Sequence, residues 1–243
     1  MASAGPLSVR IVNDADALAE AAADLVISAV HKAERFALVL AGGSTPRATY
    51  RLLADPRRRD AIDWSRVDVF FGDERAVAPG AEGSNYRMAR EALLDHVPIA
   101  ESRVHRIRGE LPPAEAAVIY DAEIRRVLDD PSSFTMVLLG MGDDGHTASL
   151  FPGSPALEEK SRLAAAAEGP PPHRGRVTLT LPALCAANNV VFLVSGGGKA
   201  ARVAEVLAQL RGEAPATLPA ARVRPADGEL TWLLDRAAAA HVS

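Results

Sequence analysis

Phe36-Ala37-Leu38-Val39-Leu40-Ala41-Gly42-Gly43-Ser44-Thr45-Pro46 passes from strand to turn to helix in one short stretch. Its first five residues are a continuous apolar run, the pattern of a strand buried on both faces of a parallel sheet. Gly42 and Gly43 bound the run, and Pro46 opens a helix, where proline is tolerated in the first turn. The theme recurs. Val67–Phe71 reads as a strand ending in Gly72-Asp73-Glu74-Arg75. Residues 134–139 read as a strand ending in Gly140-Met141-Gly142-Asp143-Asp144-Gly145-His146, and residues 190–194 as one ending in Ser195-Gly196-Gly197-Gly198-Lys199. Helical patterns cover residues 14–34 with Asn13 or Asp14 as cap, residues 84–94 with Ser84 as cap, and residues 114–128 and 200–210. Leu7–Val12 and residues 176–181 are further strands, and residues 230–234 a short last one. Strands feeding glycine-rich turns and then helices specify an α/β fold: an open, mostly parallel twisted sheet with helices on both faces, Rossmann-like in class. The richest break, Pro170-Pro171-Pro172, reads as a surface loop. A single domain over residues 1–243 is therefore expected.

At 243 residues the chain is long enough to bury a core without staples. Its 48% hydrophobic and 24% charged residues are the balance of a soluble globular protein. A formal net charge of −4 argues against nucleic acid as a partner. No apolar run approaches the roughly 20 residues of a membrane span. The first six residues lack the basic-then-apolar pattern of an export signal, so neither membrane nor secretion is expected. The one cysteine, Cys185, excludes an internal disulfide and suits a reducing cytoplasm. It reads as a small buried side chain rather than a nucleophile. Of 27 basic residues only Lys32, Lys160 and Lys199 are lysines.

In a parallel sheet, ligands bind beyond the carboxyl ends of the strands. The four turns at 42–45, 72–75, 142–146 and 198–199 therefore converge on one rim. Familiar motifs fail there. Gly140-x-Gly142-x-x-Gly145 matches a dinucleotide fingerprint, but Pro152, Gly153 and Pro155 interrupt the helix that must follow. Gly198-Lys199 lacks the earlier glycine and the following hydroxyl of a phosphate-binding loop, having Leu193 and Ala200 instead. Neither Ser44 nor Ser195 sits in Gly-x-Ser-x-Gly, so there is no nucleophile elbow. Asp143, Asp144 and His146 are cramped as metal ligands, and no second cluster completes a site. No cofactor or metal is expected.

Three features remain. His146, in a glycine-flanked turn beside two carboxylates, suits general-base work, since an imidazole titrates near neutral pH. Asp144 is placed to orient it. An exposed turn histidine with capping aspartates reads equally well from position alone. Gly42-Gly43-Ser44-Thr45 forms an anion pocket at a helix start, or simply a tight turn with a hydroxyl cap. Lys199, a rare lysine at a strand end, supplies a compact point charge. With Arg75 and Arg176 it suits a phosphorylated, polyhydroxylated small molecule; the plain alternative for each arginine is a surface salt bridge.

Nearly end to end, the chain resembles the 6-phosphogluconolactonase family. The resemblance rests on Leu40-Ala41-Gly42-Gly43-Ser44-Thr45-Pro46, on Gly72-Asp73-Glu74-Arg75 with Ser84-Asn85-Tyr86, and above all on Leu139-Gly140-Met141-Gly142-Asp143-Asp144-Gly145-His146-Thr147-Ala148-Ser149-Leu150-Phe151-Pro152. Arg176-Val177-Thr178-Leu179-Thr180, Gly198-Lys199-Ala200 and Leu218-Pro219-Ala220 extend it. It implies the fold of the sugar-phosphate isomerases and deaminases. It also implies metal-independent hydrolysis of 6-phospho-D-glucono-1,5-lactone in the cytoplasm. On that resemblance His146 activates water, Asp144 supports it, and Arg75 holds the ring or oxyanion. Gly43, Ser44, Thr45, Gly145, Arg176 and Lys199 bind the phosphorylated substrate, and Asp73 and Asn85 contact sugar hydroxyls or order the loop. A sugar lactone phosphate is the only partner implied, and a monomer is expected. The competing reading is a glucosamine-6-phosphate deaminase. Those relatives place a glutamate five residues beyond the histidine, where this chain has Phe151. A third reading, a sugar-phosphate-binding regulator, lacks a helix-turn-helix extension.

Overall fold

The computed structural model describes residues 5–128 and 134–242; residues 1–4, read above for an export signal, lie outside it. In chain order the elements are β1 (Leu7–Val12), α1 (Ala15–Lys32), β2 (Phe36–Leu40), α2 (Ser44–Ala54), α3 (Pro56–Arg59), β3 (Val67–Phe71), β4 (Asp73–Arg75), α4 (Asn85–Ala92), α5 (Pro113–Val127), β5 (Met136–Leu139), β6 (Ala164–Glu168), β7 (Gly175–Leu179), α6 (Leu181–Cys185), β8 (Asn189–Val194), α7 (Ala200–Arg211), α8 (Pro219–Arg222) and β9 (Glu229–Asp235). Local chemistry sets the helix starts. The Asp14 carboxylate accepts from the Ala17 amide at 2.9 Å to cap α1, and the Ser84 hydroxyl accepts from the Arg87 amide at 3.1 Å to cap α4. Helix α2 starts at Ser44, ahead of Pro46. Its cap is Gly43 at φ 107°, a backbone conformation that favours glycine.

Six strands form one parallel sheet in the order β1-β9-β8-β5-β2-β3. Every residue of β2, β3 and β5 is buried. Side chains alternate between faces, so layers cover the sheet on both sides. Four neighbours, β8, β5, β2 and β3, run the same way. The turns that follow them therefore stand side by side along one rim. The last strand, expected as a short one, is a seven-residue interior strand between β1 and β8.

A second sheet, in the order β4-β7-β6, is antiparallel. The sequence reading takes residues 73–75 as part of a turn, makes 176–181 one more strand of unstated partner, and has no strand at β6. Gly72 explains the geometry. Its amide donates to the Leu40 carbonyl at 2.9 Å in the large sheet, and its carbonyl accepts from the Leu179 amide at 2.8 Å in the small one. The chain thus crosses between sheets at one residue. The small sheet stands over the rim, and α5 packs against β6 and β7.

Candidate active site

The rim and the small sheet enclose a cleft of about 450 Å³. Gly43, Ser44 and Thr45 line it from the turn after β2, Asp73 and Arg75 from β4, and Asn85 from the start of α4. His146 lines it from the turn after β5, Arg176 from β7, and Lys199 from the turn after β8. Two expected residues do not reach the lining. Asp144 sits behind His146. Gly145 faces away: its carbonyl accepts from the Ala220 amide at 3.1 Å, and the Leu218 side chain covers it. Its φ of 82° is a backbone conformation that favours glycine.

His146 is held from three sides. Its Nδ1 lies 2.6 Å from Asp144 Oδ1, which also accepts the His146 backbone amide at 3.0 Å. The Phe151 ring packs on the imidazole with centroids 4.4 Å apart. On the third side, a Cβ on Gly142 would lie 2.1 Å from the ring, so only glycine lets the imidazole settle there. Burial pushes the Asp144 carboxyl upward, but the His146 amide and ring outweigh it and hold the group below its ordinary value. An ionised carboxylate only accepts, so in the neutral imidazole the proton sits on Nδ1 and Nε2 is the free acceptor.

The cations form two groups. Arg75 and Arg176 are register partners across β4 and β7. Arg176 is 8% exposed. Burial, and then the charge of Arg75, hold its guanidinium below the ordinary arginine value. Its Nε donates to the His173 carbonyl at 2.8 Å. Arg75 Nη1 donates to the Gly83 carbonyl, while Arg75 Nε is buried without a partner. Two neighbouring guanidiniums in a partly dry cleft call for an anion. On the opposite wall, Lys199 Nζ lies 2.5 Å from Asp143 Oδ1. Among the described residues no cluster of three or more His, Cys, Asp or Glu stands ready to hold a metal ion.

Several supporting residues escape the sequence reading. Asp73 Oδ2 accepts from Ser149 Oγ at 2.6 Å, and Oδ1 accepts from Asn85 Nδ2 at 3.0 Å. Asp235 accepts from Ser195 Oγ at 2.5 Å and from the Gly196 amide, shaping the turn before Lys199. Two buried tyrosines close the strand ends alike. Tyr50 Oη accepts from the Ala41 amide at 2.8 Å and donates to the Ala41 carbonyl at 2.9 Å. Tyr120 Oη does the same for Phe71, also at 2.8 and 2.9 Å. Each hydroxyl stands in for a neighbouring strand where the ladder stops. Only a polar tip on a helix face otherwise apolar hints at this in sequence. Cys185 is far from this chemistry. Burial pushes its thiol up, and it packs against Arg222 and Arg224.

A family profile described as glucosamine-6-phosphate isomerases/6-phosphogluconolactonase matches residues 13–232. The chain belongs to this isomerase/lactonase family. Within it, a 6-phosphogluconolactonase of a Nostoc species is 37% identical over 97% of this chain and 98% of its own length. The 6-phosphogluconolactonase of Homo sapiens is 39% identical over 98% of this chain and 95% of its own. Among solved structures, 6-phosphogluconolactonase from Trypanosoma cruzi superposes with a TM-score of 0.85 at 30% identity, covering 99% of this chain and 98% of that one. That superposition covers nearly the whole chain, so the overall fold described above is shared with it. Position 151, read above for a glutamate, carries an aromatic ring, and that ring is in contact with His146.

Proposed function

We infer that the chain is a 6-phosphogluconolactonase, hydrolysing 6-phospho-D-glucono-1,5-lactone to 6-phospho-D-gluconate in the oxidative pentose phosphate pathway. The observation that carries this is the Asp144–His146 pair, with Nε2 open to a cleft of cations and with Phe151, not a carboxylate, on its flank. Ring opening and amine release by a deaminase need an acid where this chain has the phenyl ring.

In the reading that fits this geometry, His146 Nε2 takes a proton from water as the water oxygen bonds to the lactone carbonyl carbon. Arg75, with a buried Nε in search of an acceptor, stabilises the oxyanion. The tetrahedral intermediate then collapses. The ring oxygen leaves with the proton held on His146 and becomes a hydroxyl, and the new carboxylic acid ionises. General-base help of this kind is worth roughly 10²–10⁴-fold, enough for an ester already activated as a lactone. Ser44, Thr45, Arg176 and Lys199 hold the phosphate, with Gly43 allowing close approach. Asp73 and Asn85 face the sugar hydroxyls. All these residues come from one chain and from both sheets, which supports residues 1–243 acting as one unit and a monomer as the working form. No described helix is long and apolar enough to cross a membrane. A single thiol and a metabolic substrate favour the cytoplasm.

The test generates the lactone in situ from glucose 6-phosphate and follows acid release. Purified protein accelerates release above the spontaneous rate, with or without a chelator. An unchanged rate sinks the reading. Lys199→Ala raises KM about tenfold with kcat little changed, the pattern of lost phosphate binding.

A further inference from the structure

Glu74 is a buried acid that the proposed chemistry does not use. It is 2% exposed, yet four donors converge on its carboxylate. The backbone amides of Arg75 and Asn85 reach Oε1, each at 2.8 Å. The Tyr86 amide at 2.8 Å and the Ser84 hydroxyl at 3.0 Å reach Oε2. Burial holds this carboxyl above its ordinary value, and the four donors work against that rise. A carboxylate so deep persists because its lone pairs are filled. Helix capping alone does not require it, since Ser84 already caps α4 through the Arg87 amide.

Glu74 ties β4 to the first turn of α4 across the intervening loop. Two consequences reach the cleft. Gly83, at the end of that loop, presents the carbonyl that takes Arg75 Nη1, so the guanidinium is aimed by a loop that Glu74 closes. Asn85, fixed through its own amide, sends Nδ2 to the Asp73 carbonyl at 2.9 Å and to Asp73 Oδ1 at 3.0 Å.

We propose that Glu74 is a positioning residue for the lactonase reaction. It holds Arg75 and the Asn85–Asp73 pair in place by anchoring the start of α4, and it does not touch substrate. This rests on the reading above that Arg75 serves the chemical step.

Glu74→Gln keeps the volume but turns one acceptor oxygen into a donor facing donors. Displacements of about 1 Å at a catalytic group cost up to about 10²-fold. The variant is expected to lose roughly 10–100-fold in kcat. KM moves less than about threefold, because Ser44, Thr45 and Lys199 stand on other turns. Inorganic phosphate still protects E74Q from thermal unfolding as it protects the wild type. A purely structural Glu74 would lower the melting temperature and leave kcat per folded molecule intact. That result, or a change confined to KM, overturns the proposal. Where E74Q does not fold, Ser84→Ala removes one of the four donors and carries the test. A kcat reduced by about threefold or more supports the proposal, and an unchanged kcat overturns it. A wild type that adds nothing to spontaneous hydrolysis defeats the lactonase reading itself. An active wild type with an unaffected E74Q defeats only the role of Glu74.

Discussion

Among the described residues, two histidines sit against carboxylates, and they are built for opposite ends. His146, on the rim, is anchored through Nδ1 alone, and its side chain is 30% exposed. His105, beside the β3 edge strand, has Nε2 3.2 Å from Asp68 Oδ1 and Nδ1 2.8 Å from Glu123 Oε1, and its side chain is 5% exposed. It stacks on Phe70 with centroids 4.6 Å apart. Asp68 also takes Arg35 at 2.8 Å and Arg103 at 3.1 Å. Both ring nitrogens of His105 are occupied by protein, so nothing is left to exchange a proton with a ligand. A carboxylate partner does not by itself make a histidine catalytic; in the proposed mechanism the distinguishing feature is one nitrogen held and the other facing a cleft.

The largest effect expected from this contrast is on chemistry. His146→Ala should cut kcat by roughly 10²–10⁴-fold in the lactone assay, with its melting temperature close to the wild type. A loss below about threefold would show that the open nitrogen is not the base. Asp144→Asn should come next, at roughly 10²-fold in kcat. An amide in place of the carboxylate no longer forces the Nδ1–H tautomer, so Nε2 is not reserved as acceptor. Equal losses for the two variants would mean that anchoring matters as much as the base.

At the other histidine the readout is stability. His105→Ala should lower the unfolding free energy by about 1–3 kcal/mol in urea titrations, the usual cost of stripping partners from buried polar groups. The kcat of the folded protein should match the wild type. A kcat defect there would erase the distinction between the two sites. The smallest effect is on pH dependence. The hydrogen bond from Arg126 is the main reason the Glu123 carboxyl drops from 4.5 to about 2; burial opposes it and His105 adds to it. The unfolded chain therefore binds this proton first. Stability from Glu123 is present above pH of about 4.5 and drains as pH falls toward about 2. Urea midpoints should fall more steeply over that window for the wild type than for Glu123→Gln; parallel curves would remove Glu123 from the acid response.

Most strands of the parallel sheet were legible along the chain, though not their order in the sheet. Phe36–Leu40 and Val67–Phe71 carry continuous apolar runs that need burial on both faces, and the glycines that end them mark the rim. His146 was legible as a candidate at a strand end, on equal terms with an exposed turn histidine until the family resemblance singled it out. The small sheet was not. Asp73-Glu74-Arg75 has no apolar alternation to betray a strand, and β6 is four alanines and a glutamate, a composition that favours helix in isolation. β6 pairs with β7 across a short loop, but β4 joins β7 from about 100 positions away, which no local propensity encodes.

By itself, then, the sequence determined which strands of the large sheet are buried, the glycine turns that end several of them, and the candidate reactive residues in those turns. Those are local properties, set by side-chain polarity and by the backbone freedom of glycine. Only the tertiary structure decided that Arg75 and Arg176 face each other across one ladder, that the Phe151 ring lies against the His146 imidazole, and that Glu74 is sealed by four donors. The first depends on register between strands about 100 residues apart, and the other two on how the 146–151 turn and the 76–83 loop fold back on themselves.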